Sequence, residues 1–149
     1  MIAAVPLGVA AEVRAATSRL YDYFAAFDAR LAALLAEQAA GVCHFHVLVG
    51  GDGEVLGRFN LVDVAGGEAE LGFRVAERAA GRGIATGGVR RILVLARDDY
   101  GLRRLTADAA IDNAGSRGVL RATGFVPAGP IDLHGRPALR HTRDLTIVI

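Results

Sequence analysis

Residues 70 to 98 read ELGFRVAERAAGRGIATGGVRRILVLARD. Within this stretch a period of two gives way to a period of three to four, so a strand runs into a helix. Between them lies AGRGIATGG, residues 80 to 88, with four glycines in nine positions. Glycine costs backbone entropy wherever it stands, so a plain turn does not explain four. Amides from about Gly81 to Thr86 can converge on one anion, with the positive end of the helix dipole behind them. Arg78 and Arg82 add charge. A phosphate-binding P-loop is excluded, because Gly87 is followed by Gly88 and Val89 rather than by lysine and a hydroxyl. The dinucleotide fingerprint fails too: its third glycine falls on Thr86.

Outward from this loop the pattern is regular. HFHVLV (44–49), EVLGRFNLVDV (54–64) and EAELGFRV (68–75) alternate as strands. The short turns GGDG and AGG join them, which makes an antiparallel meander. The loop opens a helix from about Ile84 to Asp99. Its buried face is marked by Val89, Ile92, Leu93 and Ala96, and its wet face by Arg90, Arg91 and Arg97. RRLTADAAI (103–111) is a strand. AGSRGVLRAT is a helix capped by Asp112 or Asn113 and ended by Gly124. FVPAGPIDL and PALRHTRDLTIVI form a closing hairpin. Ahead of the meander, residues 9 to 40 read as two alanine- and leucine-rich helices that break near Asp28 and stop at Gly41. Residues 3 to 7 are the only strand-like run before them. The order αα-βββ-α-β-α-ββ predicts a mixed α/β domain with an antiparallel meander and one right-handed β-α-β unit, not a doubly wound sheet.

The bulk numbers set bounds. The chain has 149 residues, 52% hydrophobic and 22% charged, with a net charge of +1. That composition suits a single globular domain over 1–149 and argues against a nucleic-acid binder. No apolar run is long enough for a membrane span. The amino terminus lacks a basic signal region. One cysteine, Cys43, allows no internal disulfide and suits a reducing, cytoplasmic setting. All seventeen basic residues are arginine. Ten of them lie between Arg74 and Arg121 against five acids. This local excess fits anion binding and equally fits a GC-rich genome. His44 and His46 share a strand face, but no third ligand accompanies them, so no metal site is expected.

ELGFRV, AGRGIA, the helix after it and DNAGSRGVLRATGF (112–125) together resemble the GNAT acyl-CoA N-acyltransferase superfamily, nearest the branch of ribosomal-protein N-terminal acetyltransferases. Gly83 and Ala85 match the end of that family's loop motif, while Ala80 stands where glutamine or arginine is usual. Asn113, Ser116, Leu120, Gly124 and Phe125 fall in register with its second motif. The resemblance covers residues 44 to 128 well and the helical segment 1–43, on the acceptor side, weakly. It implies acetyl-CoA as donor and a primary amine as acceptor, either a protein N-terminus or a small molecule. The pyrophosphate would be held by Arg78, Gly81, Arg82, Gly83, Ile84, Ala85 and Thr86. The pantetheine arm would lie along Phe73 and Val75, with Asn113 and Ser116 across a slot where two strands splay.

In such enzymes the amine attacks the thioester directly, a base takes its proton and an acid protonates the leaving thiolate. The base candidates are Glu70, Glu68 and Asp108. Glu70 stands on the strand that meets the acetyl group. Many relatives place a tyrosine acid where this chain has Arg121, which cannot donate usefully; the resemblance shifts that role to Ser116. Tyr100 reads as packing. The alternative is a non-catalytic acyl-CoA-binding sensor or scaffold. Homodimerisation through the closing strands or the first helices is left open.

Overall fold

The computed structural model describes residues 2–4, 33, 35–51, 53–77, 81 and 83–149. The predicted helix pair, with Tyr21, Tyr23, Phe24 and Phe27, lies outside them except for a last helical stretch at 35–39. That stretch ends at Gly41 as its sequence predicts: Gly41 N donates to Gln38 O and Val42 N to Glu37 O, the paired bonds of a Schellman stop.

Strands β1 (Ile2–Ala4), β2 (His44–Val49), β3 (Val55–Ala65), β4 (Glu68–Val75), β5 (Arg104–Ala110), β6 (Val126–Leu133) and β7 (Arg136–Asp144) lie in one sheet. Its order is β1-β2-β3-β4-β5-β7-β6. The meander β2-β3-β4 is antiparallel, β4 and β5 are parallel, and β7 returns antiparallel between β5 and β6. Helix α1 (Ile84–Asp98) makes the crossover from β4 to β5, and α2 (Ala114–Ala122) leads from β5 to β6. The sheet is therefore mixed, as the element order predicts. Of the run at 3–7, residues 3 and 4 lie in β1, which starts one residue earlier and pairs Ala3 with Val47, and residues 5–7 lie outside the described residues.

The core lies between the sheet and α1. Phe59, Leu61, Leu71, Leu105, Ala107 and Ala109 point from the strands toward Val89, Ile92, Leu93 and Ala96 of the helix, and all are buried. The buried helix face is the one its spacing predicts, with one addition. Gly88 is also buried, and a Cβ there would fall inside the Phe59 ring. Gly88 thus serves helix-on-sheet packing rather than anion binding.

The last strand is shorter than its sequence suggests. Residues 145–149 are apolar apart from Thr146 and read as a continuation of β7, yet the strand ends at Asp144. The Asp144 carboxylate accepts from both the amide and the hydroxyl of Thr146, which turns the chain. Leu145 is buried in the core. The buried Arg143 guanidinium donates to the carbonyls of Thr123, Asp144 and Val148, so it ties the tail to the end of α2. Among the described residues no helix is long and apolar enough to cross a membrane.

Two neighbouring glycines should respond oppositely to alanine. Gly88→Ala forces Phe59 out of place and should lower stability by about 1–3 kcal/mol. Gly87→Ala adds a Cβ with nothing within 4 Å, and should raise stability by roughly 0.5–1 kcal/mol. Urea denaturation of the two variants distinguishes them; equal effects would contradict the packing described.

Candidate active site

The seam between β4 and β5 organises the site. The two strands pair only through Glu68 with Arg104, Ala69 with Leu105 and Glu70 with Thr106. Beyond that, β4 continues to Val75 while pairing with β3, and β5 continues to Ala110 while pairing with β7. Each strand is held on its outer side. The facing edges, Leu71 to Val75 and Ala107 to Ala110, therefore separate without either strand losing its place. The backbone of β4 along this edge has no strand partner among the described residues. Phe73 and Val75, singled out from the sequence, lie here; their side chains pack on the core, and Phe73 lies 6.2 Å from Phe59 between ring centroids.

The helix α1 begins at the open end of this seam. Its N-cap is Gly83, in the left-handed region at φ 72°, and Gly81 has φ 77°. Both conformations are costly for any residue with a Cβ. No side chain caps the helix, and its first turn holds no acid. Among the described residues the amides of Ile84, Ala85 and Thr86 thus have no partner at the positive end of the dipole, a ready anion site. Of the four loop glycines, Gly81 and Gly83 shape the cradle, Gly88 packs on Phe59, and a Cβ on Gly87 would meet open space. Arg78, Ala80 and Arg82 lie outside the described residues.

The helix α2 starts beside the end of β5. Asn113 is its N-cap, and its side-chain oxygen accepts from Ser116 N at 3.1 Å. Asp112, the other capping candidate, instead receives Arg136 at 2.9 Å. Arg117 donates to the carbonyl of Ile111, and its buried Nε has no partner among the described residues. Arg121, where relatives carry tyrosine, is exposed.

The acids stand on the sheet face opposite α1. Alternation places Glu68, Glu70, Gly72 and Arg74 there, while Ala69, Leu71, Phe73 and Val75 turn toward the helices. Glu70 is half-buried where the β4–β5 pairing stops. Burial holds its carboxyl above the usual carboxylate range; Asp108 pushes the same way, Arg140 pulls against it, and Asp63 adds to the rise. Asp63 sits at a bulge of β3 with φ 53°. Asp108 is held by a residue that sequence reasoning missed. Arg140, its cross-strand partner on β7, donates from Nε and Nη2 to the two carboxylate oxygens, both at 2.9 Å. The Asp108 side chain is only 7% exposed, against 46% for Arg140. Glu68 lies farther from the opening, 3.7 Å from Arg104. Two open concavities, of about 420 and 580 Å³, lie near the start of β5 beside Arg103, Thr146 and Ile147 and include neither Glu70 nor the glycine loop.

The histidine pair is structural. His46 is 1% exposed. Its Nδ1 lies 3.0 Å from Phe59 O, and its Nε2 lies 2.6 Å from the Tyr100 hydroxyl. A carbonyl only accepts, so Nδ1 carries the proton and Nε2 accepts from Tyr100. Burial lowers the His46 pKa and favours this neutral form. His44 stacks flat on Tyr100, with centroids 3.8 Å apart. Tyr100 is thus a packing residue, as expected. Burial raises the Cys43 thiol pKa, with Glu37 adding to the effect. Among the described residues no cluster of three or more His, Cys, Asp or Glu is poised to hold a metal.

The family described as an acetyltransferase (GNAT) domain matches residues 11–126. YdaF of Bacillus subtilis (strain 168), a candidate ribosomal N-acetyltransferase, is 32% identical over 80 residues, which are 52% of this chain and 44% of that protein. The match thus spans under half the length of that relative. The spermidine N-acetyltransferase of Vibrio cholerae, in a dodecameric structure, has a TM-score of 0.81 at 16% identity, covering 98% of this chain and 94% of its own. The ribosomal-protein-S5-alanine acetyltransferase of Vibrio fischeri has a TM-score of 0.72 at 18% identity, covering 77% and 68%. At these identities the structural likeness speaks for the fold.

The environment of Glu70 has a consequence for stability. The native protein binds this proton more tightly than the unfolded chain, where the group titrates near 4.5. Stability from this residue is therefore full below that value and is lost as pH rises through the raised native one. Glu70→Gln should melt at a higher temperature than the parent at pH 7, with the gap closing at pH 4. A gap that stays constant between the two would contradict the burial.

Proposed function

The chain belongs to the GNAT acetyltransferase family, and from that premise we propose that it moves an acetyl group from acetyl-CoA to a primary amine by direct attack in a ternary complex. The observation that carries this reading is the opened seam between β4 and β5, with the uncapped start of α1 at its mouth. An acyl-CoA has a strand-like amide arm and a pyrophosphate, and among the described residues the seam and helix start offer a strand edge and a cluster of amides without partners. Bound there, acetyl-CoA supplies an activated thioester.

The chain's own residues then have separable tasks. The backbone of Leu71 to Val75 accepts the pantetheine arm as an added strand. The amides of Gly81, Gly83, Ile84, Ala85 and Thr86 hold the pyrophosphate, with Arg78 and Arg82 assigned to the same anion. Asn113 and Ser116 border the arm from the α2 side. An amide of the β4 edge polarises the thioester carbonyl. Glu70, beside the point where the strands part and with its carboxyl held above the usual range by burial, takes the amine proton, directly or through a water. Both Asp108 oxygens are occupied by Arg140, so Asp108 is assigned to holding that arginine rather than to proton transfer. Ser116 is the proposed donor to the leaving thiolate. Its amide is used by the Asn113 cap, which fixes its place in the first turn of α2. Residues 1–149 are taken as one domain, since the sheet runs from Ile2 to Asp144. A cytoplasmic setting accords with the single buried thiol at Cys43.

Calorimetric titration with acetyl-CoA, CoA and ATP, together with a thiol-release assay over a panel of amines, tests the reading. Acetyl-CoA and CoA should bind more tightly than ATP, and at least one amine should release CoA. Glu70→Gln should lower kcat by roughly 10²–10⁴-fold while acetyl-CoA affinity stays unchanged. Binding without turnover on a broad panel would favour the sensor alternative instead.

A further inference from the structure

We propose that Gly72 is a specificity-determining residue: the side chain it lacks is the opening through which the acceptor amine reaches the thioester from the Glu70 face. The proposal rests on the acetyltransferase reading above. Three glycines lie within the described strands, Gly57, Gly72 and Gly129. Two of them have a structural cause. A Cβ on Gly57 would stand 3.0 Å from the Arg74 carbonyl oxygen. Gly129 has φ 137° and sits at the irregularity in the β6–β7 pairing. Gly72 has neither cause. Its φ is outside the left-handed region, it is exposed, and a Cβ there would meet nothing within 4 Å. Glycine inside a strand weakens it, and its usual causes are a bulge or the close approach of a ligand or another backbone. The β3–β4 register runs unbroken from the pair Gly57–Val75 to the pair Val62–Glu70, so Asn60–Gly72 holds no bulge. Among the described residues no backbone comes near the Gly72 Cα on this face either. The cause that remains is a ligand.

The same ladder fixes the backbone groups that flank Gly72. Ala76 N donates to Leu56 O at 2.7 Å. Hydrogen-bonded positions alternate along an antiparallel pair. Glu70, Gly72 and Arg74 therefore turn their amides and carbonyls to β3, while Leu71, Phe73 and Val75 turn theirs to the seam. Either seam-facing amide that flanks Gly72, on Leu71 or on Phe73, belongs to a Cα about 3.8 Å away. A thioester carbonyl polarised there lies beside Gly72. Glu70 is two residues away on the same face, about 7 Å along the strand. An amine that attacks the thioester and gives its proton to Glu70 thus passes over the Gly72 Cα. A side chain at this position would stand out from the strand into that path.

The test is calorimetric binding of acetyl-CoA and steady-state thiol release by Gly72→Ala and Gly72→Val. The acceptors are unbranched primary amines and their analogues with a methyl group on the carbon that bears the nitrogen. Both variants should bind acetyl-CoA within about twofold of the parent, because the arm pairs with backbone rather than with a side chain. For the unbranched amines kcat/KM should fall roughly 10-fold in Gly72→Ala and about 100-fold in Gly72→Val. The methylated amines should lose more. Neither variant should melt below the parent, since a residue with a Cβ loses less backbone entropy in a strand than glycine does. A glycine kept only for structure would show the reverse, a lower melting temperature with turnover little changed. Unchanged kcat/KM in Gly72→Val, an equal loss for both kinds of amine, a lowered melting temperature, or a loss of acetyl-CoA affinity as large as the loss of turnover overturns the role of Gly72 and leaves the acetyltransferase reading intact. A parent that binds acetyl-CoA and turns over no amine overturns both.

Discussion

The structure depends on a seam that is paired at one end and open at the other. β4 and β5 are parallel neighbours for three residue pairs and then part company. A sheet tolerates this because neither strand relies on the seam. β4 is bound to β3 as far as Val75, and β5 is bound to β7 along its whole length. The cost is a pair of strand edges whose amides and carbonyls need partners, and buried backbone groups are rarely left without them. The start of α1 adds further amides that have no partner among the described residues. A ligand with a strand-like amide arm and a phosphate group meets both needs at once, and this links the fold to the chemistry.

Charge on the opposite face is arranged around the same point. Glu70 sits where the pairing ends, so its carboxyl is near the proposed reacting carbon and is partly withdrawn from water. Two further acids and one arginine tune it. Asp108 and Asp63 keep its proton affinity high; Arg140 moderates that and neutralises Asp108. The pair of Asp108 and Arg140 spans the β5–β7 ladder at a directly opposed position, so it is held by the sheet as well as by its own two hydrogen bonds.

Much of this was legible in the sequence because it depends on local rules. The three meander strands follow from alternation and short glycine turns. The buried face of α1 follows from its spacing, and capping chemistry narrows the N-cap of α2 to Asp112 or Asn113. What was not legible depends on contacts between distant segments. The place of β7 between β5 and β6 leaves no local mark, so Arg140 could not be put opposite Asp108, and Asp108 remained a free base candidate. Residues 145–149 have the composition of a strand, but a single carboxylate, Asp144, turns them away. The loop glycines read as one device from sequence. In the structure they divide, because only the register of α1 on β3 reveals that Gly88 lies over Phe59. The bond of His46 to Tyr100 joins residues 54 positions apart and has no sequence signature.

The central claim is that the bare edge of β4 and the start of α1 together receive an acyl-CoA. Amide hydrogen exchange, with and without saturating acetyl-CoA, tests it most directly. The account predicts new protection in two segments, Leu71 to Val75 and Gly83 to Thr86, with ATP protecting at most the second. If acetyl-CoA binds and the β4 segment exchanges as fast as before, the seam is not the site, and the division of labour built on it fails.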